Sequence, residues 1–280
     1  MPKTKKVINF LLSFITSLLL AIVVLLLIIK WTVYNANFLK NTLDKNNYYE
    51  LLMEDIDEEI MDYNTSSGIP NDVLKGLYTI DDIKSDVNNF IDNYYLGKSV
   101  TINNESIMQK LKENIDNYLL EHDVSITSDD NIDSYISEIG KIYTQKIGLY
   151  SLLNKYASTF KTFGSSINIM IVITFIGLII NTLILRKIKT TYGASIIIAS
   201  GLILLFIRFI IFSEIEVTSL VIISQYFSKV IIEIYKSICN LTVISGALLI
   251  ILGLIMQVIE NILRIKRIRR RKRSVIYGRI

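Results

Sequence analysis

Four long apolar runs divide this chain, and the charged residues between them are sorted by sign. Between Lys30 and Ser166 there are twenty-two acids and twelve lysines, a net of −10, with no arginine. The leader before Val7, the loop at 186–191 and the tail after Glu260 together hold fifteen Lys/Arg and no acid. A helix needs about 20 mostly apolar residues to cross a hydrocarbon core. Short segments rich in Lys/Arg stay on the cytoplasmic side. The sorting therefore predicts a multi-pass membrane protein and also predicts how it is threaded.

Hydrophobic residues fill 51% of the 280 positions and mean hydropathy is +0.43. That is too apolar for an ordinary soluble domain of this length. Only Pro2 and Pro70 restrict helix propagation, so long unbroken helices are allowed. The single cysteine, Cys239, excludes an intramolecular disulfide framework and a Cys-rich metal site.

The expected spans are 7–29, 167–185, 192–212 and 241–259. Residues 1–6 form a cytoplasmic leader, 186–191 a short cytoplasmic loop and 260–280 a basic cytoplasmic tail. The first span reads as an uncleaved signal anchor. Its apolar core exceeds the roughly 7–15 residues of a cleavable signal, and no A-x-A site follows. Residues 213–240 place Leu220, Phe227, Val230, Ile231, Ile234 and Ile238 at helical spacing, with Gln225, Lys229, Glu233 and Lys236 among them. Each charge at mid-bilayer costs about 2.5–3.5 kcal/mol, and a fifth span would carry the arginine-rich tail outside. The segment reads as an outer amphipathic helix, lying on lipid or against the outer domain.

The resulting fold class is mainly α, with four transmembrane helices and a mostly helical extracytosolic domain at 30–166. Asn47 and Glu50 have the spacing of a capping box, ahead of Leu51, Leu52, Ile56 and Ile60. Ser66, Ser67, Gly68, Ile69 and Pro70 break the chain. Thr79 and Asp82 open a second helix carrying Ile83, Val87, Ile91 and Tyr94, with Gly97 as its C-cap. A third is expected over 105–121. Residues 99–102 and 124–127 alternate briefly and are expected to pair as two short strands. A long helix from about Asp130 is expected to run into the second span, with Gly164, Ser165 and Ser166 as a hinge or kink.

Two groups of residues are candidate sites. Arg264, Lys266, Arg267, Arg269, Arg270, Arg271, Lys272 and Arg273 are expected to contact anionic lipid headgroups, at about 1 kcal/mol per basic residue near the surface. The simpler reading is a topology anchor for the fourth span. No nucleic-acid-binding module accompanies them, so nucleic acid is not an expected partner. Arg208 lies inside the third span, and an intramembrane charge is a functional-site hypothesis by default. It either snorkels outward to pair with Glu214 or Glu216, or joins Asn168 and Asn181 along a polar pathway.

Other features carry less. The acids between Glu54 and Asp62 read as a solvated helix face. The stretch from Asp129 lacks the glycine and the bidentate glutamate of a calcium loop, where Ser134 and Gly140 stand. His122, the lone histidine, ends a charged helix. No nucleotide, hydrolase or zinc-protease motif occurs, so no catalytic, metal or cofactor residue is expected.

With its helical outer segment and the break at Ser67, Gly68, Ile69 and Pro70, the whole chain resembles uncharacterised four-span membrane proteins of low-GC Gram-positive bacteria. The resemblance is one of architecture and implies no activity. The topology is also similar to permease subunits of the cell-division and macrolide-exporter class. Those contact an ATPase through the loop after span two, which at 186–191 is too short here for a coupling helix. The expected function is non-enzymatic: an outer interaction or sensing domain on a membrane base, with a protein partner or self-association. The alternative is a transporter or channel component with its path near Arg208.

Overall fold

The computed structural model describes residues 3–99, 101–123, 129–147, 156–187, 193–211 and 225–277. It is mainly helical, with no strand among the described residues. The α-helices are α1 Lys3–Thr32, α2 Ala36–Lys45, α3 Tyr48–Ser67, α4 Ile80–Tyr95, α5 Glu105–Glu121, α6 Asp129–Ile147, α7 Ala157–Lys187, α8 Gly193–Ile211 and α9 Gln225–Tyr277. The chain divides into two compact units. One comprises Met1–Thr32, Ser166–Val217 and Tyr235–Ile280, the other Val33–Ser165 and Thr218–Ile234.

The first unit holds the apolar helices. Four helical stretches are long and apolar enough to cross a membrane: Lys6–Thr32, Ala157–Arg186, Gly193–Ile210 and Tyr226–Lys266. Helix α1 packs along α8. Several hydroxyls in this unit return to their own backbones, whereas the buried Ser13 Oγ has no partner among the described residues. Thr16 donates to the Leu12 carbonyl at 2.7 Å, Ser200 to Ile197 at 2.7 Å and Thr242 to Ile238 at 2.8 Å. Helices α8 and α9 meet through small residues. A Cβ on Gly201 would sit 2.6 Å from the Gly246 carbonyl oxygen, and one on Gly253 would sit 3.0 Å from that of Ala194. The close approach is van der Waals contact between backbones, which is what drives helix association in lipid. Helix α7 leaves Ile169, Val172, Ile173, Ile176, Ile180 and Leu183 exposed, an apolar surface fit for lipid.

The second unit is a helical domain with its own core. Helix α3 packs on α2, α4 and α6, while α5 packs on α6 and on a short 3-10 turn at Asn71–Leu74. Leu43, Leu52, Ile56, Ile83, Val87, Leu111, Ile139 and Tyr143 are fully buried among them. Their spacing of three or four residues puts one apolar stripe of each helix inward. Helix α4 starts with a complete capping box, Thr79 accepting from the Asp82 amide and Asp82 accepting from the Thr79 amide. It ends with Gly97 at φ +73, whose amide donates to Tyr94 while Lys98 donates to Asn93, closing a Schellman turn. The break at Pro70 is tied into the core by Asn64. Its amide donates to the Ile69 carbonyl at 2.9 Å and to Asn71 Oδ1 at 2.6 Å, and its own Oδ1 accepts from the Tyr135 hydroxyl at 2.6 Å.

Four expectations change. Asn47 makes no capping box: it sits at φ +50 and its side chain caps nothing. The expected strand at 99–102 is irregular in its described residues, and 124–127 lies outside them. Residues 164–166 are not a hinge in secondary structure, because α7 runs through them unbroken. Gly164 instead makes room for Tyr34, whose Cδ1 would lie 2.8 Å from a Cβ there. Finally, α9 is continuous from Gln225 to Tyr277, so there is no break between the amphipathic segment and the fourth span at 240–241. Tyr226 and Val230 are buried in the core of the second unit, with Phe227 and Ile234 packed at its edge. The described part of the amphipathic segment thus covers protein.

Candidate functional site

The polar chemistry of the second unit is organised around α3. Its acids fall into two sets. Asp55 and Glu59, one turn apart, both receive Lys146 of α6, at 3.0 and 2.6 Å. Burial pulls the Lys146 ammonium down, but its bonds to Glu59 and Asp55 outweigh this and hold it above the usual lysine range. Asp55 also accepts from the Tyr226 hydroxyl at 2.9 Å, and the Tyr226 ring meets Tyr48 edge-on at 5.3 Å. These contacts pin the first turn of α9 to the domain. The second set, Glu54, Asp57, Glu58 and Asp62, is exposed.

Tyrosine hydroxyls recur as ties to acids. Tyr78 donates to Asp57 at 2.5 Å and Tyr143 to Asp86 at 2.7 Å. Burial pushes the phenols of Tyr49, Tyr78, Tyr95 and Tyr143 well above their ordinary value, and that of Tyr135 up to about 12. Each is therefore raised above its unfolded value of 10.0. The stability they contribute is fully present below pH 10 and falls as pH rises through the folded values. Of the sixteen tyrosines, these five are expected to ionise only together with helix loss, above pH 10. Ionisation of all sixteen while the helices remain intact would contradict the buried phenols.

A groove of about 320 Å³ opens between α3 and residues 71–78. Met53, Ile60 and Met61 form one wall, and Leu74, Leu77 and Tyr78 the other. Asp57 stands in its lining, with Glu54, Glu58 and Asp62 along the exposed side of the same helix.

The other expected residues are scattered. Arg208 is half-buried in the last turn of α8, near a helix end. Its expected partners Glu214 and Glu216 lie outside the described residues. Asn168 is exposed and Asn181 half-buried on α7. Thirteen positions separate them, about 20 Å along the axis and about 220° around it. They occupy nearly opposite faces of α7. Arg264 and Lys266 are exposed on α9. Arg267, Arg269, Arg270, Arg271, Lys272 and Arg273 lie on the same helix, with side chains outside the described set. His122 caps the end of α5, its Nδ1 3.0 Å from the Tyr118 carbonyl oxygen and its ring stacked on that tyrosine. Cys239 is buried. Among the described residues no cluster of His, Cys, Asp and Glu has the makings of a metal site.

Sequence reasoning missed the Asp55, Glu59, Lys146 and Tyr226 cluster. The available signal was the i,i+4 spacing of the two acids beside half-apolar positions of α3. Its partner lies 171 positions away in Tyr226, which local periodicity does not reach. Compared with protein-family models, curated proteins and solved structures, the chain has no match.

Proposed function

We propose that this chain is a non-enzymatic multi-pass membrane protein whose second unit is an extracytosolic interaction or sensing module. Both termini lie in the cytoplasm, and the basic tail rests on anionic headgroups. The observation that carries the reading is the second unit itself: a well-packed helical core with acids on its surface, attached to apolar helices. The orientation follows from fifteen Lys/Arg confined to the leader, the 186–191 loop and the tail. Helices α7 and α9 each run without a break from the second unit into an apolar stretch.

In-cell crosslinking with a membrane-impermeant amine reagent tests module and orientation together. It is expected to trap one stoichiometric partner through lysines of the 34–165 segment. Replacing that segment with an unrelated helical domain is expected to abolish capture and leave insertion intact. Capture that survives the replacement, or crosslinks confined to tail lysines, would count against the proposal.

A further inference from the structure

Resting on the reading of the second unit as an interaction module, we propose that the groove beside α3 takes a cationic amphipathic peptide. An apolar side chain enters the groove, and lysines or arginines of the peptide lie along its rim. The groove, at about 320 Å³, holds one or two large aliphatic or aromatic side chains. It sits at the small end of the roughly 300–1,000 Å³ range of ligand pockets, too small for a bulky cofactor. Two of its wall residues, Met53 and Met61, are flexible and polarisable and adapt to side chains of different shape. Met61 is 46% exposed, an apolar side chain left open on an otherwise acidic helix face.

The rim selects the sign of the occupant. Asp57 of the lining, and Glu54 and Glu58 on the adjoining stripe of α3 that Met61 continues, are exposed and enter no ion pair among the described residues. The lysine in the lining, Lys75, is held by Asp72 at 2.6 Å. Asp57 is held in place by the Tyr78 hydroxyl, so one carboxylate of the rim is fixed before any ligand arrives. The surrounding segment carries a net charge of −10. A field of that sign raises the encounter rate of cations and repels acidic chains. A neutral apolar peptide would fill the groove without using the rim, and a polar polycation would use the rim without filling the groove. Only a ligand with both features satisfies both walls and rim.

The test uses the full chain in nanodiscs of zwitterionic lipid, with empty nanodiscs as the blank. The probes are three synthetic helical peptides: a lysine–leucine amphipath, the same peptide with glutamate for lysine, and the same with serine for leucine. Only the lysine–leucine peptide is expected to bind above the blank. Its affinity is expected to fall about tenfold or more with Met61→Lys, and again with the pair Glu54→Lys and Glu58→Lys. Glu113→Lys, an exposed change on α5, is expected to leave it unaltered. All these positions are exposed, and a thermal melt confirms that each variant stays folded. Binding that ignores Met61→Lys, or that the serine peptide or the empty nanodisc reproduces, overturns the inference. If the groove fails while partner capture still depends on the 34–165 segment, this inference alone falls and the interaction reading stands.

Discussion

Leu52→Asp is expected to unfold the second unit while leaving the apolar helices inserted. Leu52 is fully buried on α3, between Tyr48 and Ile56, which are also shut off from solvent. A carboxylate there loses its hydration with no cation placed to receive it, a penalty of several kcal/mol even after relaxation. Protonation spares the charge but not the lost packing. Leu52→Ala alone is expected to cost about 2–5 kcal/mol, the usual range for such truncations. Domains of this kind hold only about 5–15 kcal/mol in total, so the aspartate removes most or all of it. Limited proteolysis of the protein in detergent is the direct measurement. Leu52→Asp is expected to yield rapid cleavage within 34–165, with the apolar stretches still protected. Leu120→Ser, at a position 80% exposed, serves as the neutral control. Resistance equal to the parent chain in the aspartate variant would mean that α3 does not form the centre of this core.

The parts of the fold that were legible in the sequence are those where one local rule acts alone. The α5 bounds, Glu105–Glu121, follow from Ile107, Leu111 and Ile115 on one stripe. Thr79 and Asp82 make their reciprocal cap because both partners lie within one turn. Gly97 stops α4 because a left-handed residue is needed there. The same rule misled at Asn47, where the spacing to Glu50 is right but the backbone enters the helix left-handed and turns the side chain away. Short alternation at 99–102 was too weak a signal for a strand: no neighbour among the described residues supplies a ladder, and helices close the core without one.

The 213–240 segment shows the limit differently. An amphipathic stripe says that something covers it, but not what. The answer depends on Asp55 and Tyr48, far off in the chain and brought to Tyr226 by the domain fold. The boundary at 240 was a change in hydropathy, and backbone hydrogen bonding does not register hydropathy, so α9 continues across it. The acidic stretch at 54–62 was half legible. Glu54, Glu58 and Asp62 are the solvated face that the pattern predicted, whereas Asp55 and Glu59 turn toward Lys146.

The second large effect is expected in the membrane-facing unit, from Gly201→Val. A Cβ at Gly201 meets the Gly246 carbonyl oxygen at 2.6 Å and the Ile250 amide nitrogen at 3.1 Å. Both are backbone atoms, which cannot swing aside as a side-chain end does. The pairs 201 with 246 and 194 with 253 run in opposite senses, so α8 and α9 are antiparallel and touch at two levels. Opening the seam at one level loosens it at the other, and the van der Waals contact that holds helices together in lipid is lost along its length. Overpacking of this kind costs about 1–3 kcal/mol, and more where no neighbour yields. Valine adds two further methyl groups to the same clash. The measurement is thermal unfolding in mild detergent, with helix content as the readout. Gly177→Ala is the control, since a Cβ there meets only the Leu19 side chain at an ordinary 3.7 Å. Gly201→Val is expected to melt well below the parent and Gly177→Ala to melt with it, while the second unit keeps its protease resistance in both. Equal melting of Gly201→Val and the parent chain would show that α8 and α9 do not meet through their glycines. The groove beside α3 would be untouched by that result, because its walls belong to the other unit.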